Sequence, residues 1–499
     1  MADVLLTHSY HLYYDRKQSK KAQPYPPLGT LYAAALLRRA GFSVALFDTM
    51  LNDPIQAFQD ALNRHRPRLV VVYEDNFNFL SKMCLSRMRE VAYQILGASR
   101  SSGATVLING SDACDHPSDY LREGFRFVLL GEAEWTLLDV AERLLRNQHL
   151  DPTNVLGVAY LNPQTGELMR TARRPAIRDL DSLPMPARDL VDIKQYRETW
   201  KTAHGYFSLN LVASRGCPYR CNWCAKPIFG NGFSLRSPAS VAEEMRQLKY
   251  DCAADHLWFA DDIFGLKAKW VRELALEVEK LDAALPFKMQ TRVDLISPDT
   301  AAALRRAGCA EAWMGAESGS QKILDAMDKG TRVEQIVNAR ECLRREGIRA
   351  CYFIQFGYPG ESWEDIQKTV ELVRATRPDG IGVSVSYPLP GTVFHERVRT
   401  EIGNKTNWSD SEDLSMMFHG PYNDRFYRTL HDALHAEVGQ WSSQNPGNGT
   451  TGGSAAARAG DARRLWEEVV TLERTCRNPH PTVMANLVGS ELVQLQSRS

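Results

Sequence analysis

"SRGCPYRCNWCAKP", Ser214 to Pro227, places Cys217, Cys221 and Cys224 within eight residues and offers no fourth cysteine. Iron–sulfur clusters and structural zinc sites ordinarily take four protein ligands. The stretch follows an apolar run, SLNLVAS at 208–214, so it reads as a loop at the end of a β-strand. Gly216, Pro218 and Asn222 mark that loop as irregular and surface-facing. A zinc site completed by His204 or His256 is one reading. Zinc sites usually pair their cysteines twice over, however, and no second pair occurs in the chain. The other seven cysteines, Cys84, Cys114, Cys252, Cys309, Cys342, Cys351 and Cys476, stand singly. They read as reduced, partly buried thiols.

Outward from the loop, residues 206–400 alternate apolar runs with amphipathic stretches. The runs are SLNLVAS, HLWFA (256–260), FKMQT (287–291), EAWMGA (311–316), ACYFIQFG (350–357) and GIGVSVSY (380–387). Six β/α units predict a partial TIM-like barrel, whose chemistry belongs at the carboxyl ends of its strands. Ser362 with Asp365 three residues later forms a capping box. Residues 1–150 show the same alternation over five runs, VLLTH, SVALFD, RLVVVYE, ATVLIN and FRFVLLG. They predict an α/β, doubly wound parallel sheet. Between the two lies a connector at 151–205, with closely spaced prolines in "RDLDSLPMPARDL". Beyond residue 400 the expectation is a helical extension, interrupted by a flexible linker at 442–460.

The whole chain has 499 residues, enough for two or three domains. Sixty Lys and Arg balance sixty Asp and Glu. That argues against a nucleic-acid binder driven by bulk charge. No signal peptide and no run approaching a membrane span is visible, so a cytoplasmic protein is expected.

The C-x-x-x-C-x-x-C spacing with Trp223 before the last cysteine resembles the radical S-adenosylmethionine (SAM) superfamily signature. "LWFADDIFG" (257–265), "QTRVDLIS" (290–297), "GAESGS" (315–320), "FGYPGES" (356–362) and "YPLPGT" (387–392) fall at successive strand ends. In the same order they resemble segments of cobalamin-binding radical SAM proteins. The resemblance implies that Cys217, Cys221 and Cys224 ligate three irons of a [4Fe–4S] cluster, the fourth iron being left to SAM. It implies that Trp223 lies near the adenine and that Asp261, Arg292, Gly315 and Glu317 face SAM. Plainer readings stand beside these. Glu317 would be a carboxylate at a helix N-terminus, Asp261 and Asp262 solvated turn residues, Arg292 an ion-pair partner.

"YPPLGTLYAAALLRRAGFSVALFDT" (25–49) and "INGSDACDHPSDYL…FVLLGEAEWT" (108–136) resemble the cobalamin-binding domain of the same subgroup. Gly110, Ser111, Gly131 and Glu132 are then the candidate cobalamin contacts, or else glycine turns with polar neighbours. No Asp-x-His-x-x-Gly motif occurs; Asp115-His116-Pro117 has the wrong spacing, so cobalt without a protein histidine is expected. The implied activity is cobalamin-dependent radical SAM methylation of an unactivated carbon in a small-molecule or lipid substrate. An electron donor such as flavodoxin or ferredoxin is implied with it. The alternatives are a radical SAM cyclase, ring-contracting or oxidising enzyme without methyl transfer, and a non-catalytic cobalamin or iron–sulfur sensor. His419 and Tyr422 in "MMFHGPYNDRFYRTLH" are read either as substrate contacts or as a packed helix start.

Overall fold

A computed structural model describes residues 1–53, 55–77, 86–147, 150–402, 414–442, 455–479 and 481. Cys84 and most of the expected linker at 442–460 lie outside these residues.

The first sheet is built from β1 (Val4–Thr7), β2 (Val44–Phe47), β3 (Leu69–Tyr73), β4 (Thr105–Asn109), β5 (Phe127–Leu129), β6 (Val158–Leu161) and β7 (Leu168–Arg170), in the order β2-β1-β3-β4-β5-β6-β7. The first five are parallel, and β1 and β3 are buried along their whole length. Helices cover both faces, which is why these strands read as continuous apolar runs and not as alternation. Ala33, Ala34 and Leu37 of helix Leu28–Arg39 pack with Val4, Leu6 and Val71 on one side. Phe58, Leu62, Val91 and Ile95 pack with Leu5, Val70 and Val72 on the other. The strand order reverses between β1 and β3, the switch point at which such sheets open a crevice.

The stretch 151–205 is more than a connector. β6 and β7 add antiparallel to β5 as a hairpin. Asn162 shapes its turn, with Oδ1 accepting the Gln164 amide (2.8 Å) and its carbonyl accepting that of Gly166 (2.8 Å). Helix Ile193–His204 follows, capped by Asp192.

The second sheet is built from β8 (Ser208–Leu211), β11 (His256–Phe259), β12 (Phe287–Thr291), β13 (Cys309–Glu317), β14 (Arg349–Phe356) and β15 (Gly380–Val385). All are parallel and lie in sequence order from β8 to β15, giving the open (β/α)6 barrel. Two short strands, β9 (Ser214–Arg215) and β10 (Ser234–Leu235), pair antiparallel above β8 and enclose the cysteine loop. Leu209, Leu211, Leu257 and Phe259 join the helical layer. The opposite face of β8 and β11 meets residues 24–26 of the N-terminal lobe. Tyr25 bonds Ser208 (3.1 Å) and packs on Trp200 and Trp258; Asn210 donates to the Pro26 carbonyl (2.9 Å), and Trp200 to that of Pro24 (2.6 Å). One apolar core therefore contains Tyr10, Leu12, Tyr25 and Leu31 together with the barrel.

In the C-terminal extension, helix Asp424–Ser442 packs along helix Ala455–Thr475. The second helix begins at Ala455, so the last residues of the expected linker are helical. Tyr422 is buried against Phe426 and bonds Glu473 (3.2 Å), a packed helix start; His419 is exposed beside Glu401.

Candidate functional site

Three features hold the cysteine loop at the carboxyl end of the barrel. Gly216 adopts φ +77°, and a Cβ there would collide with the Gly232 carbonyl oxygen. Lys226 folds back to donate to the carbonyls of Cys217 (2.9 Å) and Tyr219 and to Asn231 Oδ1 (2.9 Å). Asn222, between the second and third cysteines, is buried and anchored on every side. Its amide donates to the Met327 carbonyl (3.1 Å), and its Nδ2 to the Ala326 carbonyl and Asp328 (2.8 Å each); its Oδ1 accepts the Tyr358 hydroxyl (2.7 Å).

The thiols of Cys217, Cys221 and Cys224 are half-buried and unbridged. Burial pushes the Cys217 thiol up. Among the described residues no three Cys, His, Asp or Glu side chains already converge as metal ligands. Cluster assembly would therefore draw the three sulfurs together on a loop whose backbone is already fixed. Trp223 Nε1, next to Cys224, is buried with no hydrogen-bond partner. A buried orphan donor of this kind is costly unless a ligand accepts from it.

A wall of cations stands beside the loop. Arg292, at the end of β12, places Nη1 3.9 Å from Cys221 Sγ, lies over the Tyr219 ring (3.6 Å) and pairs with Asp294 (2.9 Å). Its Nη2 donates to the Lys329 carbonyl (2.9 Å). Lys329 Nζ in turn reaches Glu317 Oε1 at 2.8 Å, with both side chains 7% exposed. Burial pulls the Lys329 ammonium down, but the charges of Glu317 and Cys221 outweigh it and the net direction is up. Glu317 closes β13 in a left-handed conformation, φ +60°, rare for a residue with a side chain and a recurrent strain at functional sites. Gly315 leaves the room: a Cβ there would lie 2.6 Å from Lys329 Nζ and 2.7 Å from Glu317 Oε1.

Asp261 turns inward beneath the loop. It accepts the Ala213 amide (3.1 Å) and the Ser214 hydroxyl, and burial pushes its pKa up to about 7. Asp262 is exposed. The structure thus brings Trp223, Arg292, Gly315 and Glu317 around the cysteine loop and sets Asp261 under its first strand. Lys329, Asn222, Lys226 and Tyr358 escaped sequence reasoning. Lys329 lies in an "MDKG" turn twelve residues from its partner, with no motif to flag it.

At the carboxyl ends of the first sheet, Gly110, Ser111, Gly131 and Glu132 follow β4 and β5. Ser111 Oγ and Asn76 Oδ1 are buried without partners, so polar valences there await a ligand or water. A Cβ at Gly110 would lie 2.6 Å from Glu74 Cγ. The cleft lined by Ser9, Glu74, Gly110 and Ser111 has a volume of about 10 Å³, room for a single water. A macrocycle would have to rest above the strand ends. Glu132 spends Oε1 on Arg215 (2.7 Å) and Oε2 on the Ile177 amide (2.7 Å).

Residues 211–373 match the family model of the Radical SAM superfamily. An uncharacterized methyltransferase of Pyrococcus horikoshii is 24% identical over 374 residues, covering 74% of this chain and 78% of the relative. The solved radical SAM methyltransferase TsrM of Kitasatospora setae, with cobalamin and a [4Fe–4S] cluster bound, superposes with a TM-score of 0.66 at 19% identity, over 80% of this chain and 78% of that one. The cobalamin-dependent SAM radical enzyme OxsB, with aqua-cobalamin and SAM bound, gives 0.70 at 17%, over 95% and 71%. At these identities the two structures establish the fold.

Proposed function

We propose that this radical SAM protein is a cobalamin-dependent enzyme that methylates an unactivated carbon of a small-molecule substrate. The observation that carries the reading is the three-cysteine loop itself, anchored at the end of β8 beside Arg292, Lys329 and Glu317 and facing the carboxyl ends of a sheet with unsatisfied polar atoms. Residues 1–150, with the hairpin through Arg170, form the cobalamin lobe, and residues 206–400 the catalytic barrel.

When bound, the cluster supplies the electron that cleaves SAM to a 5′-deoxyadenosyl radical, and cobalamin supplies a methyl carrier. Cys217, Cys221 and Cys224 would hold the cluster through their thiolates, one protein ligand short of the usual four. Arg292 and Lys329 set positive charge beside Cys221, which offsets the negative charge of a thiolate-ligated cluster. Glu317 gives Oε1 to Lys329 and keeps Oε2 for the hydroxyls or ammonium of SAM. Trp223 offers its unpartnered Nε1–H to the same ligand. Asp261 holds the approach strand at Ala213 and Ser214 and acts on the ligand through the loop's position. Ser111 and Asn76 offer polar contacts to the cobalamin. A flavodoxin- or ferredoxin-like protein delivers the electron.

The test is anaerobic reconstitution with iron and sulfide, followed by turnover with SAM, cobalamin and a host extract. Methyl transfer yields both S-adenosylhomocysteine and 5′-deoxyadenosine. The second reading, a cyclase, ring-contracting or oxidising radical enzyme without methyl transfer, is supported by the likeness to an anaerobic magnesium-protoporphyrin IX monomethyl ester cyclase of Rubrivivax gelatinosus, 24% identical over 82% of this chain. It yields 5′-deoxyadenosine alone. Iron-loaded protein that cleaves no SAM under a strong reductant overturns both.

A further inference from the structure

Arg215 immediately precedes Gly216 and Cys217. Its backbone belongs to β9, yet its side chain leaves the barrel and is buried in the N-terminal lobe, 3% exposed. Nη1 meets Glu132 Oε1 at 2.7 Å and Glu134 Oε1 at 2.8 Å. Three aromatic rings surround the guanidinium: Tyr32 at 5.2 Å, Phe77 at 5.3 Å and Phe229 at 5.5 Å. Phe77, from the N-terminal lobe, and Phe229, from the segment after the cysteines, stack at 5.2 Å. Glu132 carries the link onward by accepting the Ile177 amide. Gly131 also lies beside Ile228: a Cβ there would sit in ordinary contact with the Ile228 carbonyl oxygen, at 3.4 Å.

The arginine therefore joins the strand that leads into the cysteine loop to Glu132 and Glu134, in the turn and helix start that follow β5. A buried charge in this position is held by its partners, because losing either side strands the other away from water. A planar guanidinium suits the task, since it bonds through its edge while stacking on aromatic faces; an ammonium would lose the flat contacts. Buried, charged and ring-packed on both sides, the joint has little room for gradual adjustment.

We propose that Arg215 is a positioning residue that couples the two cofactor sites, so that filling the site at the end of β5 changes the affinity of the cysteine-loop site for its ligand, and the reverse. The coupling rests on the functional reading above for the identity of the ligands, and linkage makes it reciprocal.

Two measurements on the full chain decide it. The first needs no cofactor: hydrogen–deuterium exchange of the apo protein. In Arg215→Met the amides of residues 131–134, 177 and 214–217 are expected to lose protection together, while β12 to β14 keep theirs. Faster exchange confined to 214–217 overturns the coupling. The second uses iron-loaded protein with the wild-type iron content. Cobalamin is expected to shift the SAM dissociation constant of the wild type by about fivefold or more, and that of Arg215→Met by less than about twofold. Arg215→Lys and Glu132→Gln, milder changes that retain a polar contact, are expected between the two. An undiminished factor in Arg215→Met overturns the proposal. If the wild type binds SAM but no cobalamin, the functional reading is what fails, and the exchange measurement alone rules on the joint.

Discussion

Replacing Lys329 by methionine strands the Glu317 carboxylate at the end of β13. The two groups meet at 2.8 Å and each is 7% exposed. That exposure decides the scale: an ion pair in water contributes about 0–1 kcal/mol, whereas removing one partner of a buried pair costs about 3–5 kcal/mol. A stranded carboxylate has one escape, which is to take a proton. The expected loss in Lys329→Met is therefore about 3 kcal/mol. Hydrogen exchange of the β13 and β14 amides reads this directly, because 3 kcal/mol is about 150-fold in opening. The double variant Glu317→Gln/Lys329→Met, with neither charge left, should recover most of it. A loss below about 1 kcal/mol would refute the picture of a dry, mutually dependent pair.

The remaining predictions concern the loop and one distant acid. Alanine at Cys217, Cys221 or Cys224 should abolish the cluster's iron content and visible absorbance, whereas Cys476→Ala should keep both; retained SAM cleavage in any of the first three would disprove the ligand assignment. Gly216→Ala should disorganise the loop through its φ of +77° and the clash with Gly232, so iron loading falls while far-UV dichroism stays near wild type. Glu361 is buried with Oε2 accepting the Gly357 amide (2.6 Å), and burial pushes its pKa up to about 8 from an ordinary value near 4.5. The native state then holds a proton the unfolded chain has lost, so this residue's contribution to stability falls as pH rises from about 4.5 to about 8. Thermal midpoints across that range should flatten in Glu361→Gln; an unchanged slope would assign the dependence elsewhere.

The alternation of apolar runs announced both sheets because a parallel strand covered on two sides has to be apolar throughout, as in Leu69–Tyr73. The cysteine loop was equally legible, since its three cysteines are neighbours in the chain. What the sequence hid were partnerships made by register. Glu317 and Lys329 meet only because a turn returns the chain to the end of β13. Asn222 reads in the sequence as a surface loop residue; it is buried because its anchors at 326–328 and Tyr358 come from two other β/α units. The hairpin of β6 and β7 was passed over because its strands are four and three residues long, and the nearby prolines suggested an extended linker. Arg215 carries no signal in the sequence; its meeting with Glu132, 83 positions earlier, is a fact of the packing between lobes.

Tyr25 bears on how this chain can be re-engineered. Its ring sits between Trp200 and Trp258, and the carbonyls on either side of it accept from Trp200 and Asn210. A chimera that grafts another protein's first lobe onto this barrel would leave two tryptophans uncovered and two donors, the Trp200 indole N–H and the Asn210 amide, unpaired, even with both cofactor sites copied faithfully. The smallest exchangeable module is thus not a domain cut at a linker. It is a barrel together with the Pro24–Pro26 segment that lines it, and successful recombinants should cross over upstream of that segment or carry it along.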